Sequence, residues 1–394
     1  MTILKHTATK VVVASLAASL VLTGCGKSIQ PEAKKPVKLI AIDNPQVAIQ
    51  SVFSQELANG SRFKRGAAIN KNDVLDLQLA SDGTRLIAAS KAGTVQSFEG
   101  NRAAWTVNVG EPITSGVGAD FASQVAIVTT RLGNVIALDT NTGAVRWKTN
   151  INATVLTPAV IAGNRVLLSA NDGVLHGLNL QSGALIWQFG TQQPNVSVRG
   201  TAKPLRLDGS TALFATADGR IHAIASDTGE ALWTRRIGVA VGGSDVGRMS
   251  DVDGTPLVVG KHLYVTSFSG NLAGFDMSTG RTLFTVRDFP TTRAVAHLNG
   301  VLIGADTNGL VQGFNAVTGE KLWKNNALTH RKPSNPVTIG NFVAIGDYEG
   351  VVHLFNVNGD LVGRAQSRDK GQIVSLQVLG NRLYAQTSTG YASV

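Results

Sequence analysis

The chain has 394 residues, a formal charge of +10, 16% charged side chains and a single cysteine. That charged fraction excludes a disordered polyelectrolyte and a coiled coil, and one cysteine excludes an internal disulfide or a multi-cysteine metal site. Glycine, with 43 residues against a usual share of about 7%, calls for a fold with many tight turns.

Residues 1–24 read as a leader. Lys5 and Lys10 precede an apolar run from Val11 to Leu22, too short for an ordinary transmembrane helix. The run ends in Leu22-Thr-Gly-Cys25. Small residues before a cysteine at that place look like a lipoprotein signal, cleaved ahead of Cys25 and acylated on it. The plainer alternative is an ordinary secretory leader with an incidental cysteine. Gly26 in place of aspartate favours the outer membrane where enterobacterial sorting applies. Without the leader's two lysines the charge falls to +8. With a periplasmic address, that charge points away from nucleic acid and toward solubility, anionic headgroups or an acidic partner. Residues 25–45 carry four lysines and three prolines with little apolar periodicity, which predicts a flexible tether.

From residue 46 to Val394 strand patterns take over. The clearest runs from Arg131 to Trp147: a strand from Asn134 to Leu138, a turn from Asp139 to Gly143, and a strand ending in Trp147. Paired glycines ten apart recur at 133/143, 173/183, 219/229, 270/280 and 309/319. Trp187, Trp233, Phe284 and Trp323 close the later copies. Counting degenerate copies, the first glycines fall at 93, 133, 173, 219, 270, 309, 350 and 390. A period near forty with short strands predicts an all-β, eight-bladed β-propeller of four-stranded antiparallel blades. Blade one is expected at Asp73–Leu79, Arg85–Ser90, Thr94–Phe98 and Ala104–Val109. The last copy ends one strand after Gly390. The stretch Gln50–Leu57, with Phe53 where tryptophan would stand, is therefore expected to complete the last blade and close the ring.

Within a repeat, the second residue after the first glycine is apolar (Val95, Val135, Leu175), the fourth usually small (Ser97, Ala137, Gly177) and the fifth large (Phe98, Leu138, Leu178). Strands alternate faces, so apolar residues at both parities predict blades covered on both sides, with the tryptophans packing between them. Asp139, Asp227 and Asp276 stand beside the turns and are expected to act in turn chemistry.

Two spacings are long, 46 and 51 residues. The extra residues, Gly190–Lys203 and Gly238–Thr255, connect one blade's last strand to the next blade's first. Such insertions commonly carry function. They contain Asn195-Val-Ser-Val-Arg199-Gly and Ser250-Asp-Val-Asp253-Gly-Thr-Pro256. Val196, Val198, Arg199, Asp251 and Asp253 are therefore candidates for one patch. The local alternative makes the aspartates turn formers and Arg199 their internal partner.

Catalytic motifs are absent: the sequence holds no G-x-S-x-G, H-E-x-x-H, P-loop or dinucleotide fingerprint. His176, His222 and His353 each follow a repeat glycine by three residues. They fall in blades three, four and seven, too dispersed around the ring to converge on a metal.

The repeat Gly133-x-Val-x-Ala-Leu-Asp-x-x-Thr-Gly-x-x-x-Trp147 resembles the PQQ-like propeller repeat. Quinoprotein dehydrogenases in that family hold a calcium-bound quinone, commonly beside adjacent cysteines, which this chain lacks. A lipid-anchored PQQ-dependent dehydrogenase is the alternative reading. Leader, eight repeats and both inserts together resemble the BamB family, lipoproteins of the outer-membrane β-barrel assembly machine. That resemblance implies a scaffold that is not an enzyme, without cofactor or metal, anchored in the outer membrane and facing the periplasm. It implies binding to the POTRA region of BamA, and through it to other subunits, contact with unfolded outer-membrane proteins, and no nucleic-acid role. The BamA contacts it implies are Val196, Val198, Arg199, Asp251 and Asp253, with valine where family members tend to have leucine. His330-Arg331 also fits the family pattern. A periplasmic scaffold with a different partner is a further alternative.

Overall fold

The computed structural model describes residues 34–57, 75, 77–190, 202–237, 252 and 254–394. Pro36–Val394 form one compact unit. It is all-β, with no helix among the described residues. Eight antiparallel four-stranded sheets make the eight blades, seven of them from four consecutive strands. In the eighth, Ser54–Glu56 is the outer strand, paired with Tyr391–Ser393 (Gln55 opposite Ala392) and followed inward by Arg382–Thr387 and Ile373–Leu379. The N-terminal strand thus completes the last blade, as the missing fourth strand required.

Phe53 fills the tryptophan's place. It is buried, and its ring meets Phe98 of blade one edge-on, with centroids 5.2 Å apart. Gln386 of blade eight also donates Nε2–H to the Ala89 carbonyl of blade one at 2.8 Å.

The third strands bear out the two-sided burial. In Asn134–Asp139 the four central residues are buried, whereas in the fourth strand Val145–Asn150 only Trp147 is fully so. The fourth strand meets the third through a β-bulge at the same place in seven blades. In blade two Ala137 faces Trp147 while Leu138 faces Val145, leaving Arg146 as the extra residue. The bulge re-aims the strand and sets the large ring over the small fourth residue. Beyond it the strand pairs regularly to Asn150, so Trp147 lies mid-strand rather than at its end. Blade one's first strand is Ala80–Ser81 rather than Asp73–Leu79. Leu77 and Leu79 before it are buried, packing between blades.

Trp105, Trp147, Trp187 and Trp323 are each clamped between their own blade and the next. Trp147 Nε1 donates to the Leu180 carbonyl of blade three at 2.9 Å. Trp105, Trp187 and Trp323 repeat the bond to Thr140, Ser226 and Val357. Beneath the Trp147 ring lies Gly183, where any side chain would run into the indole. Blade five carries Phe284, which has no N–H. There the Tyr264 hydroxyl donates to the equivalent Ala316 carbonyl at 2.9 Å, stacked on Phe284.

The hairpin turns are closed by side-chain acceptors. Asp139 Oδ1 accepts the N–H groups of Asn141 and Thr142 at 2.9 and 3.0 Å, and Asp276 does the same for Ser278 and Thr279. Asp227 does not. It sits two places further along its turn, Ala225 taking the acceptor's position, and pairs across blades with Arg165 at 3.5 Å. The Arg146 guanidinium, 2.6 Å from Asp139, helps hold that carboxyl down to about 2. Because the folded pKa is depressed, this stabilisation is complete above the usual carboxylate range and disappears as pH falls from about 4 through about 2. Asn179 and Asn315 close the same turn in other blades. Asp139→Asn is therefore expected to keep the turn, cost less than about 1 kcal/mol at pH 7, and flatten the acid limb of a denaturation series between pH 4 and 2.

Candidate functional site

An antiparallel four-strand blade places its middle turn and its connection to the next blade on the same face. The connections are stitched to the following blade's middle turn: Arg131 N–H to Pro112 O, Asn171 to Thr154 and Thr307 to Pro290, each at 2.9 Å, and Tyr348 to Arg331 at 3.0 Å. This makes a firm face of loops on a closed ring. Glu111, in the connection from blade one to two, shows how such a loop is fixed. It accepts from Thr130 at 2.6 Å, Asn134 at 2.8 Å and Lys148 at 2.8 Å. Burial alone would raise its carboxyl, but those bonds outweigh it and hold the group below the usual range.

The two long connections run between Gly190 and Ala202 and between Ile237 and Gly254, and most of their residues lie outside the described ones. Val196, Val198, Arg199, Asp251 and Asp253 lie outside the described residues, as does Cys25. What is described is the base of the second insert. Val252 is buried with Ala202 and Val265, and Gly254 packs against Thr266 and the Arg293 carbonyl.

His330-Arg331, in the connection from blade six to seven, proves to be the edge of a buried charged cluster. Arg331 is 2% exposed and its Nε donates to Asp347 Oδ2 at 2.7 Å; Nη2 reaches Glu349, and the guanidinium lies 5.2 Å from the Tyr348 ring centre. His353 Nε2 donates to the same Asp347 oxygen at 2.9 Å, and its Nδ1 accepts from Arg364 Nε at 3.4 Å. Burial pushes the His353 imidazole below its usual value despite Asp347, so it sits neutral there. Burial pushes Asp347 upward, but the His353, Val351 and Arg331 hydrogen bonds win and it stays ionised.

The other two histidines are also interior. His222 bonds Thr234 at 2.8 Å and His176 bonds Gln188 at 3.2 Å. No group of three metal-ligating side chains occurs among the described residues. Sequence reasoning named Arg331 but missed Asp347, Glu349 and Arg364. The available signal was an arginine just after a position, Gly363, where the repeat has tryptophan.

Fold and face together define a closed PQQ-like β-propeller, a rigid display of loops. The profile of the family described as outer membrane protein assembly factor BamB matches residues 91–325, and the chain belongs to that family. The Pseudomonas aeruginosa member is 31% identical over 375 residues, covering 94% of each chain. The Shewanella oneidensis member is 29% identical over 288 residues, covering 73% of this chain and 72% of its own length. The crystal structure of BamB from Moraxella catarrhalis superposes with a TM-score of 0.81 at 44% identity, covering 87% of this chain and 98% of that one. These relatives are named as assembly factors, so the chain is a member of a non-enzymatic family. The dehydrogenase alternative raised by the repeat falls.

Proposed function

We propose that the chain is a scaffold of the outer-membrane β-barrel assembly machine, lipid-anchored through Cys25, facing the periplasm and docking on the POTRA region of BamA. Family membership carries the proposal: the relatives are named for outer membrane protein assembly. Residues 1–24 serve as leader and 25–45 lead to the propeller strands, the part from Pro36 on belonging to the propeller's own compact unit. Val196 and Val198 supply a small apolar contact, around which Arg199, Asp251 and Asp253 make charge-specific hydrogen bonds. A ring closed through every blade supports this role, because a rigid frame adds no ordering cost of its own when a partner binds.

Unfolded barrel proteins are the second contact in this reading. Val145, Leu185, Ile186 and Leu232 are exposed on the outer strands of blades two, three and four. No further strand pairs with those edges among the described residues, which suits strand addition by an extended apolar segment. Capture of BamA by the tagged chain tests the docking proposal, with Arg199→Glu and Asp251→Arg/Asp253→Arg as site variants.

A further inference from the structure

Blade seven departs from the repeat at one place. Gly363 stands where blades two, three and six have Trp147, Trp187 and Trp323, each opposite the fourth residue after the first glycine. The preceding residue differs too: Val362 is 1% exposed, whereas Ile186, Leu232 and Leu322 in the same position are 48%, 57% and 46% exposed. The chain's own N-terminal segment covers this edge. Val47 lies directly on Gly363. Val47 and Ile49 pack against the cluster formed by Val352, Leu354, Val362 and Ile373.

The segment is also held by its backbone. Val37 N–H donates to the Thr329 carbonyl at 3.1 Å and Gln46 N–H to the Val362 carbonyl at 2.9 Å. Arg331 Nη1 donates to the Val37 carbonyl at 2.8 Å, and Arg364 Nη1 to the Ile40 carbonyl at 2.9 Å. The two arginines are pre-set by the Asp347–His353 pair. Leaving a buried guanidinium short of an acceptor is costly, so the cluster and the segment require each other.

We infer that the outer edge of blade seven is a docking seat for residues 37–47 of the same chain, in which Arg331 and Arg364 grip two backbone carbonyls and Val47 takes the missing tryptophan's place. The seat decides where the tether begins. Resting on the lipid-anchor reading, the stretch from Cys25 to Val37 reaches at most about 40 Å, against about 75 Å from Cys25 to Val47. Thr329, Arg331 and Asp347 belong to the face that carries the connections. Blade seven lies across the ring from blade three, where the first long insert leaves. The anchor therefore pulls on one rim of that face and leaves the opposite rim free for a partner.

Amide hydrogen exchange on the full-length detergent-solubilised chain tests the seat, with mass spectrometry of Cys25 in the same sample. Within residues 37–46 the amides of Val37 and Gln46, which donate to the Thr329 and Val362 carbonyls, are expected to be protected in the wild type. In Arg364→Gln they are expected to exchange at least about tenfold faster, with protection of Val125–Thr129 and Asn134–Asp139 unchanged. Exchange of 37–46 at the unprotected rate in the wild type would overturn the seat. Protection that survives both Arg364→Gln and Arg331→Lys would overturn the arginine grip. An unmodified Cys25 beside normal protection would sink only the lipid reading and the tether length drawn from it.

Discussion

Truncation of the chain up to Leu57 is expected to abolish the closed ring, and Leu57→Ala alone to lower stability by about 2–5 kcal/mol. Ser54–Glu56 is the only strand of blade eight that comes from the other end of the chain. The residues flanking it reach across to blade one. Phe53 and Leu57 are buried with Leu79, Leu86, Ala88 and Phe98 of blade one and with Tyr384 and Ala392 of blade eight. Burial of those two side chains is worth about 1.5–3 kcal/mol each, and it adds to the Gln386–Ala89 bond in holding the first and last blades together. Without the strand, Tyr391–Ser393 becomes an open edge, a template for pairing with other chains. Truncated protein should elute as oligomers in size-exclusion chromatography, and Leu57→Ala should shift the denaturant midpoint at unchanged slope. A Leu57→Ala loss below about 1 kcal/mol would mean the ring is closed by something else.

The second large effect is expected at Gly183. Its φ of +70° disfavours any residue with a Cβ, and a side chain there would collide with Trp147 and Thr149 Oγ1. Gly340 separates the two causes, since its φ is +54° but a Cβ would meet nothing within 4 Å. Gly340→Val should cost about 1–3 kcal/mol from backbone strain alone. Gly183→Val adds the displacement of a clamped indole and should exceed about 4 kcal/mol. Equal losses in chemical denaturation would show that the tryptophan clamp contributes little between blades.

Much of this architecture is written locally and was legible in the sequence. A strand, a turn and a ring-bearing strand recur at a fixed offset, so blade number, small residues under the rings, and Phe53 as a stand-in for tryptophan could be read directly. The β-bulge could not, because no residue type marks Arg146 as the unpaired one, and the polar residues after Trp147 concealed the strand's continuation to Asn150. Nor could Tyr264, which supplies from the second strand the hydrogen bond that Phe284 in the fourth cannot make. The seat on blade seven was hidden for a different reason. Arg331 meets Val37 across 294 positions, and a contact made once, outside the repeat, leaves no period. The candidate BamA-binding residues were reached from the inserts' composition and the family resemblance, and they lie outside the described residues.

Co-purification of BamA with the tagged, solubilised chain tests the central claim most directly. Wild type is expected to capture BamA. Arg199→Glu and Asp251→Arg/Asp253→Arg, each with unchanged thermal unfolding, are expected to lose at least about tenfold of the captured protein. Equal capture by all three would move the docking surface off the insert loops. No capture by wild type, in detergent that keeps the membrane assembly intact, would contradict the scaffold on BamA and favour a different envelope partner.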